Sequence, residues 1–570
     1  MNKQRIVAGL ASVAMASTLV ACSGGSNSNA KTLTVSVNQS LTGQFTPQYA
    51  SSAYDQYVVN LCYEPMLKYN ADNELEPVLA KDLPEVSEDG LTLTYKLEKG
   101  HKFSDGTEVT AKDVKFTFTT LADPNYAGPN GGGMDNIVGY KEYNSGAAKE
   151  LTGVETPDDY TVVFHLVSPQ IDAVSAFGVM GITSADHYSK YKPGKVKVVE
   201  KNQEESCGSG AYQLKKYDKA SGASFVRNEE FKPEKGQYQV DQIIIKKTDA
   251  TTEVSELKKG TVDLIPDVIE TNKVSEASQD KNMAFNDYTR SAVGFVAMNA
   301  NNGATADKAV RQALMYATDR QGFCDSYFGW DKKASDEVKK VKGGYVPAAY
   351  WNPASESFGA VVRNEETVDG LNTYAFDMDK ANQVLDEAGW VRGADGIREK
   401  DGQKLEIKFL LSENNSVLDF LIPMVKKTWG DLGVDLKQTT VDFTTLLSNI
   451  QDTSHDSEWN MCFLATSFTS NQDTSANDSY TNVPANMAVN NYSRINDQAL
   501  VDQLTKARAD SDEKQSKADY VEAMKMAADD AGYMPVYSGM QFNLYNKKVD
   551  LTGTGTLRNW SQSMDTITVK

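Results

Sequence analysis

Residues 62–118 read CYEPMLKYNADNELEPVLAKDLPEVSEDGLTLTYKLEKGHKFSDGTEVTAKDVKFTF. This stretch sets a strand, a turn and a helix in fixed order. Leu91, Leu93, Tyr95 and Leu97 alternate with polar residues, the period-two pattern of a strand with one buried face. Phe103, Ser104 and Asp105 then run into Gly106, which closes a tight turn. Thr110 begins a helix, and Asp113, three residues on, completes a capping box.

Working outward, the same alternation marks strands over residues 31–38 (KTLTVSVN), 158–166 (DDYTVVFHL) and 241–247 (DQIIIKK). Helical periodicity covers 305–320, where Ala309, Ala313 and Tyr316 share a face beside Val310 and Leu314. It also covers 379–388, stopped by Gly389, and 417–432, with Leu418, Leu421, Ile422, Val425 and Trp429 on one stripe. Pro423 is expected to bend or start that last helix, and Gly433 to end it before the strand VDLKQ. TEVSELKKGTVDLI reads as a helix, a stop at Gly260 and a strand. Residues 497–507 and 518–528 are further helices. Alternating helices and strands make the class α/β. A chain of 570 residues holds roughly two to four domains. No low-complexity linker divides it, so the domains share one body and the chain crosses between them more than once.

Composition is that of a folded protein, 40% hydrophobic and 24% charged. A net charge of −20 argues against nucleic acid and against broad adsorption to anionic lipid, and serves solubility. Lys3 and Arg5 precede an apolar run, residues 6–20, too short for a comfortable membrane span and suited to a secretory signal. Leu19-Val20-Ala21-Cys22 resembles the lipobox of bacterial lipoproteins. That resemblance implies removal of residues 1–21 and diacylglycerol on the Cys22 thiol, with residues 22–30 as a flexible tether. The body would then be held on the outer face of the cell membrane by two acyl chains, on the periplasmic side in a Gram-negative host. Four cysteines remain, Cys62, Cys207, Cys324 and Cys462. They lack zinc spacing, and the sequence assigns them either to buried thiols or to one or two disulfides of undefined pairing.

Chemistry-bearing motifs are few. The four histidines, His101, His165, His187 and His455, are too far apart for a helical metal pair. No nucleophile elbow, Walker A loop or dinucleotide fingerprint is present. Neither a metal nor a cofactor is expected, and the chain is read as no enzyme. Gly131-Gly132-Gly133 and the following MDNIVGYKEYNSG line a site or form a surface loop.

The 62–118 stretch resembles the front of the family 5 solute-binding proteins, the oligopeptide-binding proteins of ABC importers: Y-E-P-hydrophobic-Leu, P-x-L-A, a strand, then K-F-x-D-G-x-x-x-T-A-x-D-V. TPDDYTVVFHL, GSGAYQLKKYDKASGASFVRNEEF, AVRQALMYATDR and ANQVLDEAGW are similar to later family segments in the same order. The resemblance implies a periplasmic-binding-protein-like type II fold of three-domain, cluster C architecture with a hinged cleft. Domain I would take residues 31–67, 201–295 and 533–570, domain II residues 68–200, and domain III residues 296–532. Ligand would lie between domains I and III, its backbone held by strand-like hydrogen bonds, and the closed form would deliver it to an importer permease. A monomer is expected.

Carried over position by position, the resemblance points to Ser51 and Ser52 on one wall, Asn130 and Gly131 in the domain II loop, and Phe443, Phe463, Thr466, Ser467, Phe468, Thr469, Asn471 and Asp473 on the other. Many family members place an Asp at the Thr469 position to pair with a peptide amine. Here only Asp473, four residues on, supplies one. The frame fits oligopeptides, and the altered lining keeps an oligosaccharide as the alternative, with an extracellular hydrolase behind it.

Overall fold

Residues 30–201, 206–341, 343–355, 357–468, 475–481, 490–510 and 512–570 are described by the structure, a computed structural model. The quoted stretch folds as its pattern requires. Thr92–Lys96 is a strand with Leu93 and Tyr95 buried. Gly106 takes φ +87° in the turn, and Ala111–Leu121 is a helix. The Asp113 carboxylate accepts from the Thr110 N–H at 2.9 Å and from its hydroxyl at 3.0 Å. This helix packs on a four-stranded sheet of Glu85–Val86, Thr92–Lys96, Thr161–His165 and Val154–Asp158, forming one core around Phe118, Phe164 and Phe177.

The rest of the body hangs on one large mixed sheet. Its strands run in the order Asp435–Val441, Glu406–Ser412, Met461–Ser467, Ala292–Met298, Tyr533–Asn546, Leu264–Val268, Thr32–Val37, Gln242–Lys247, Gly222–Arg227 and Tyr212–Asp218. Tyr533–Asn546 is the pivot. Its first half pairs antiparallel with Ala292–Met298, from Ala297↔Tyr533 to Gly294↔Tyr537. Its second half pairs with Met283–Thr289, from Thr289↔Met540 to Met283↔Asn546, and with Leu264–Val268. The two halves belong to separate cores. Val296, Met298, Phe409, Trp429 and Phe463 lie on one side of the pivot. Leu33, Val35, Ile243, Ile245 and Trp560 lie beyond the other. Two lobes are therefore joined by two adjacent chain crossings, one near residue 290 and one near residue 539.

Most helix stops sit where glycine was expected to place them. Gly260, Gly389 and Gly433 all have positive φ. The helix anticipated over 305–320 is instead divided. Lys308–Tyr316 is capped by Asp307, and Arg320–Tyr327 by Asp319. The break is held because the Thr318 hydroxyl donates to Leu314 O at 2.7 Å and accepts from Trp429 Nε1 at 3.1 Å. The buried Arg320 guanidinium donates to Pro535 O at 2.9 Å. Pro423 starts nothing: Ser416–Leu432 is one helix capped by Asn415, and it runs through the proline. Cys62, Cys207, Cys324 and Cys462 are buried free thiols. Among the described residues no helix is long and apolar enough to cross a membrane.

Gly294 is a packing requirement rather than a turn. A Cβ there would come within 2.1 Å of the Tyr537 ring on the pivot strand. Gly294→Ala is expected to destabilise the chain by roughly 1–3 kcal/mol through overpacking. Urea unfolding would show this as a lowered midpoint, and an unchanged midpoint would contradict it.

Candidate ligand-binding cleft

The first wall is built where residues 46–52 lead into the helix Ala53–Cys62. The Ser52 hydroxyl caps that helix, accepting from Asp55 N at 3.1 Å and donating to Asp55 Oδ2 at 2.8 Å. Its capacity is thus spent on holding Asp55, while Ser51 beside it stays half-buried. Asp55 also accepts from Thr42 N at 2.8 Å. Burial nevertheless pushes its carboxyl up to about 6, against the lowering effect of those hydrogen bonds.

Asn130 ties the glycine loop to this wall. Its Nδ2 donates to Pro47 O at 2.8 Å and Ala50 O at 3.0 Å, and its backbone N–H donates to Tyr126 Oη at 2.9 Å. Gly131 is buried under the Tyr126 ring, which a Cβ would meet at 3.0 Å. The 126–133 segment is therefore fastened against the 47–51 segment, not an open surface loop. Ser51, Ser52, Asn130 and Gly131 are brought together.

The second wall is the end of Met461–Ser467. Its register against Ala292–Met298 places Val293 opposite Thr466 and Ala292 opposite Ser467. Phe468 N donates to Ser291 O at 2.8 Å, and the Ser291 hydroxyl donates to Phe468 O at 2.9 Å. The side chains divide. Thr466 is half-buried and Ser467 exposed. Phe463 stacks on Tyr537 with ring centres 6.3 Å apart, inside the core. Phe468 joins the aromatic cluster of Tyr350, Tyr480 and Tyr533. Phe443 is half-buried at the first turn of Phe443–Ile450, which Asp442 caps. Thr469, Asn471 and Asp473 lie outside the described residues, as does Cys22.

The walls meet along the rims. Gln39 Nε2 donates to Glu413 O at 3.3 Å and Asn414 O at 3.2 Å. Ser416 donates to Glu270 Oε1 at 2.9 Å. On the far flank Asn490 Nδ2 reaches Pro129 O at 3.1 Å, and Ile171 N reaches Arg508 O at 3.1 Å. These rim contacts are few and polar, whereas nearer the crossings Trp330, Ala334 and Val338 pack into the apolar core of Val254, Leu257, Ile265 and Phe542.

Between them lies a buried polar floor that sequence patterns did not single out. Asp267 accepts from Tyr57 and, at 2.5 Å, from Tyr288. Lys273 Nζ lies 2.5 Å from Glu253 and 2.7 Å from Glu270. Burial opposes the Lys273 charge, but Glu270 and Glu253 outweigh it and hold its pKa above the ordinary value. Burial opposes ionisation of Glu270 as well, yet the Lys273 charge holds that carboxyl low. Arg290, in the crossing itself, completes the floor. Its available signal was one cation lodged between two apolar strand patterns, in DYTRSAVGFVAM.

Comparison with known proteins fits this geometry. Residues 74–487 match the model of bacterial extracellular solute-binding proteins, family 5 Middle. The chain belongs to that family, whose members are binding proteins and not enzymes. The oligopeptide-binding protein AppA of Bacillus subtilis is 24% identical over 419 residues, 72% of this chain and 69% of AppA. The structure of Bacillus subtilis AppA in complex with a nonapeptide superposes with a TM-score of 0.80 at 19% identity, covering 95% of this chain and 99% of AppA. NikZ from Campylobacter jejuni, in complex with Ni(L-His), gives 0.75 at 20% identity, covering 93% and 97%. The fold is the type II periplasmic-binding-protein fold.

The Asp55 environment makes a pH prediction. A carboxyl raised in the folded state takes up a proton that the unfolded chain has released. Its contribution to stability is full below about 4, the ordinary aspartate value, and is lost as pH rises through about 6. Asp55→Asn should therefore flatten the stability profile over that interval, read as urea midpoint against pH. Superimposable profiles would contradict the assignment.

Proposed function

We propose that this chain is an oligopeptide-binding protein that captures extended peptides between its lobes and hands them, chemically unchanged, to an ABC importer permease. One observation carries the peptide reading. Met461–Ser467 keeps a strand partner on one side through Ser467. On its other side, pairing with Glu406–Ser412 ends at Leu410↔Cys462. Among the described residues, the far edge of Leu464–Ser467 carries no ladder partner. An extended peptide can add there as a strand, main chain to main chain, which accepts many side-chain sequences. The nonapeptide complex of AppA supports the same class of ligand for this fold.

In this reading Ser51, Asn130 and Gly131 form one side of the site and Phe443, Thr466 and Ser467 the other, with Thr469, Asn471 and Asp473 continuing the second wall. Phe463, Phe468 and Ser52 act from behind by holding those segments in place. The domain division is I (31–67, 201–295, 533–570), II (68–200) and III (296–532). Separate cores around Phe118, Ile243 and Trp429 are consistent with three units, although Val293, Phe295, Tyr533, Met534, Val536 and Tyr537 pack on the domain III side of those boundaries. Cys22 carries the lipid that keeps the protein at the outer face of the cell membrane. Closure is driven by ligand contacts made on both walls at once, since only contacts specific to the closed state shift the equilibrium.

Titration calorimetry with short peptides is expected to give saturable binding with no change in peptide mass. Methylating one central backbone nitrogen should weaken binding roughly tenfold, the loss of one hydrogen bond at about 0.5–1.5 kcal/mol together with the clash of the added methyl. Binding of oligosaccharides with none of peptides would overturn the reading. For the anchor, Cys22→Ser should abolish fatty-acid labelling in cells; labelling that persists would refute lipidation at that residue.

A further inference from the structure

The crossing between the lobes buries a cation. Arg290 lies between the strands Met283–Thr289 and Ala292–Met298. Its backbone N–H is committed to Gly539 O, at 3.0 Å, on the second crossing. Its side chain is almost fully buried, with the residue 7% exposed. Nε and Nη1 nevertheless have no hydrogen-bond partner among the described residues. The guanidinium carbon lies 5.1 Å from the centre of the Tyr537 ring. Its charge also acts on the hydroxyls of Tyr288, Tyr327 and Tyr345. The Tyr537 hydroxyl is a hydrogen-bond partner of the guanidinium, and Asp267 and Glu270 of the floor act on the same phenols.

The acids of the floor are already engaged. Asp267 is held by Tyr57 and Tyr288. Glu270 is held by Lys273 and by Ser416 of the other lobe. A buried guanidinium that leaves two donors, Nε and Nη1, unmet weakens a fold. Arg290 also stands next to the ligand walls. Ser291, the following residue, fixes Phe468 at the end of the second wall. Tyr537, under the guanidinium, stacks on Phe463 of the same strand end. Tyr327, another of its neighbours, lies 2.8 Å from Ser416, the residue that bridges the lobes.

We propose that Arg290 is the anion-recognition residue of the cleft and pairs with a carboxylate of the captured ligand. The proposal rests on the peptide reading above and deepens it. Closure brings the ligand carboxylate and the guanidinium together away from water, where a charge-assisted hydrogen bond is strong. The carboxylate is either the peptide C-terminus or an acidic side chain.

The test uses the full chain, its Arg290→Gln and Arg290→Lys variants, and three probes. These are an alanine hexapeptide with a free C-terminus, the same peptide as its C-terminal amide, and an amide carrying one central glutamate. The wild-type chain is expected to bind at least one carboxylate probe roughly tenfold to a hundredfold more tightly than the neutral amide. Whichever of the two is favoured identifies the source of the carboxylate. Arg290→Gln should bind all three alike, and Arg290→Lys should recover part of the preference. Without ligand, Arg290→Gln should melt no lower than the wild type, because buried donors without partners have been removed. Equal binding of all three probes by the wild type, or an undiminished preference in Arg290→Gln, overturns this proposal alone. So does a lowered melting temperature of ligand-free Arg290→Gln, which would make Arg290 structural. Binding of none of the probes overturns the peptide reading and this proposal with it.

Discussion

One strand, Tyr533–Asn546, serves two bodies, and this sharing governs everything else in the molecule. Its backbone groups are paired on one side of residue 539 with the second lobe and on the other with the first. The lobes cannot separate without unzipping a ladder, yet they can tilt about the short span where pairing changes hands. Gly539 sits at that point, with Gly343 O only 2.1 Å from where its Cβ would be. A side chain there would force the crossing open, so a backbone-only contact keeps the pivot tight. Hinge motion of this kind needs only a few residues to absorb the change in backbone angles.

The rims match a hinge that must reopen. Gln39 makes two hydrogen bonds, to the Glu413 and Asn414 carbonyls, and Ser416 to Glu270 and Asn490 to Pro129 are one each. Each has a net value of about 0.5–1.5 kcal/mol. Bonds of that size hold the walls together without locking them. The floor is built differently. Lys273 between Glu253 and Glu270, and Asp267 between Tyr57 and Tyr288, are buried and mutually satisfied. They keep the junction polar and rigid, and Arg290 is buried beside them.

Local structure was highly legible in the sequence because its signals are local. Alternation over residues 91–97 and the Thr110–Asp113 box act within one turn or strand, as do the stops at Gly260, Gly389 and Gly433, and all formed. The helix over 305–320 divided because its break is written elsewhere: Trp429 and Pro535, more than a hundred residues away, claim Thr318 and Arg320. The shared strand was equally hidden, since periodicity says nothing about which partner each half will take. At the candidate site, family resemblance named segments but could not give the direction of each side chain. Phe463 and Phe468 turn to the core and Ser52 becomes a helix cap, whereas Asn130 acts by fastening two segments to each other. Arg290 carries no motif, and only its burial with Nε and Nη1 unmet distinguishes it.

The central claim is that two lobes close on a peptide and release it unaltered. Small-angle X-ray scattering of the purified chain, stripped of ligand by mild unfolding and refolding and then titrated with peptide, tests it most directly. The account predicts a more open ligand-free form and a saturable fall in radius of gyration that tracks peptide occupancy. A radius that is the same with and without bound peptide would contradict it.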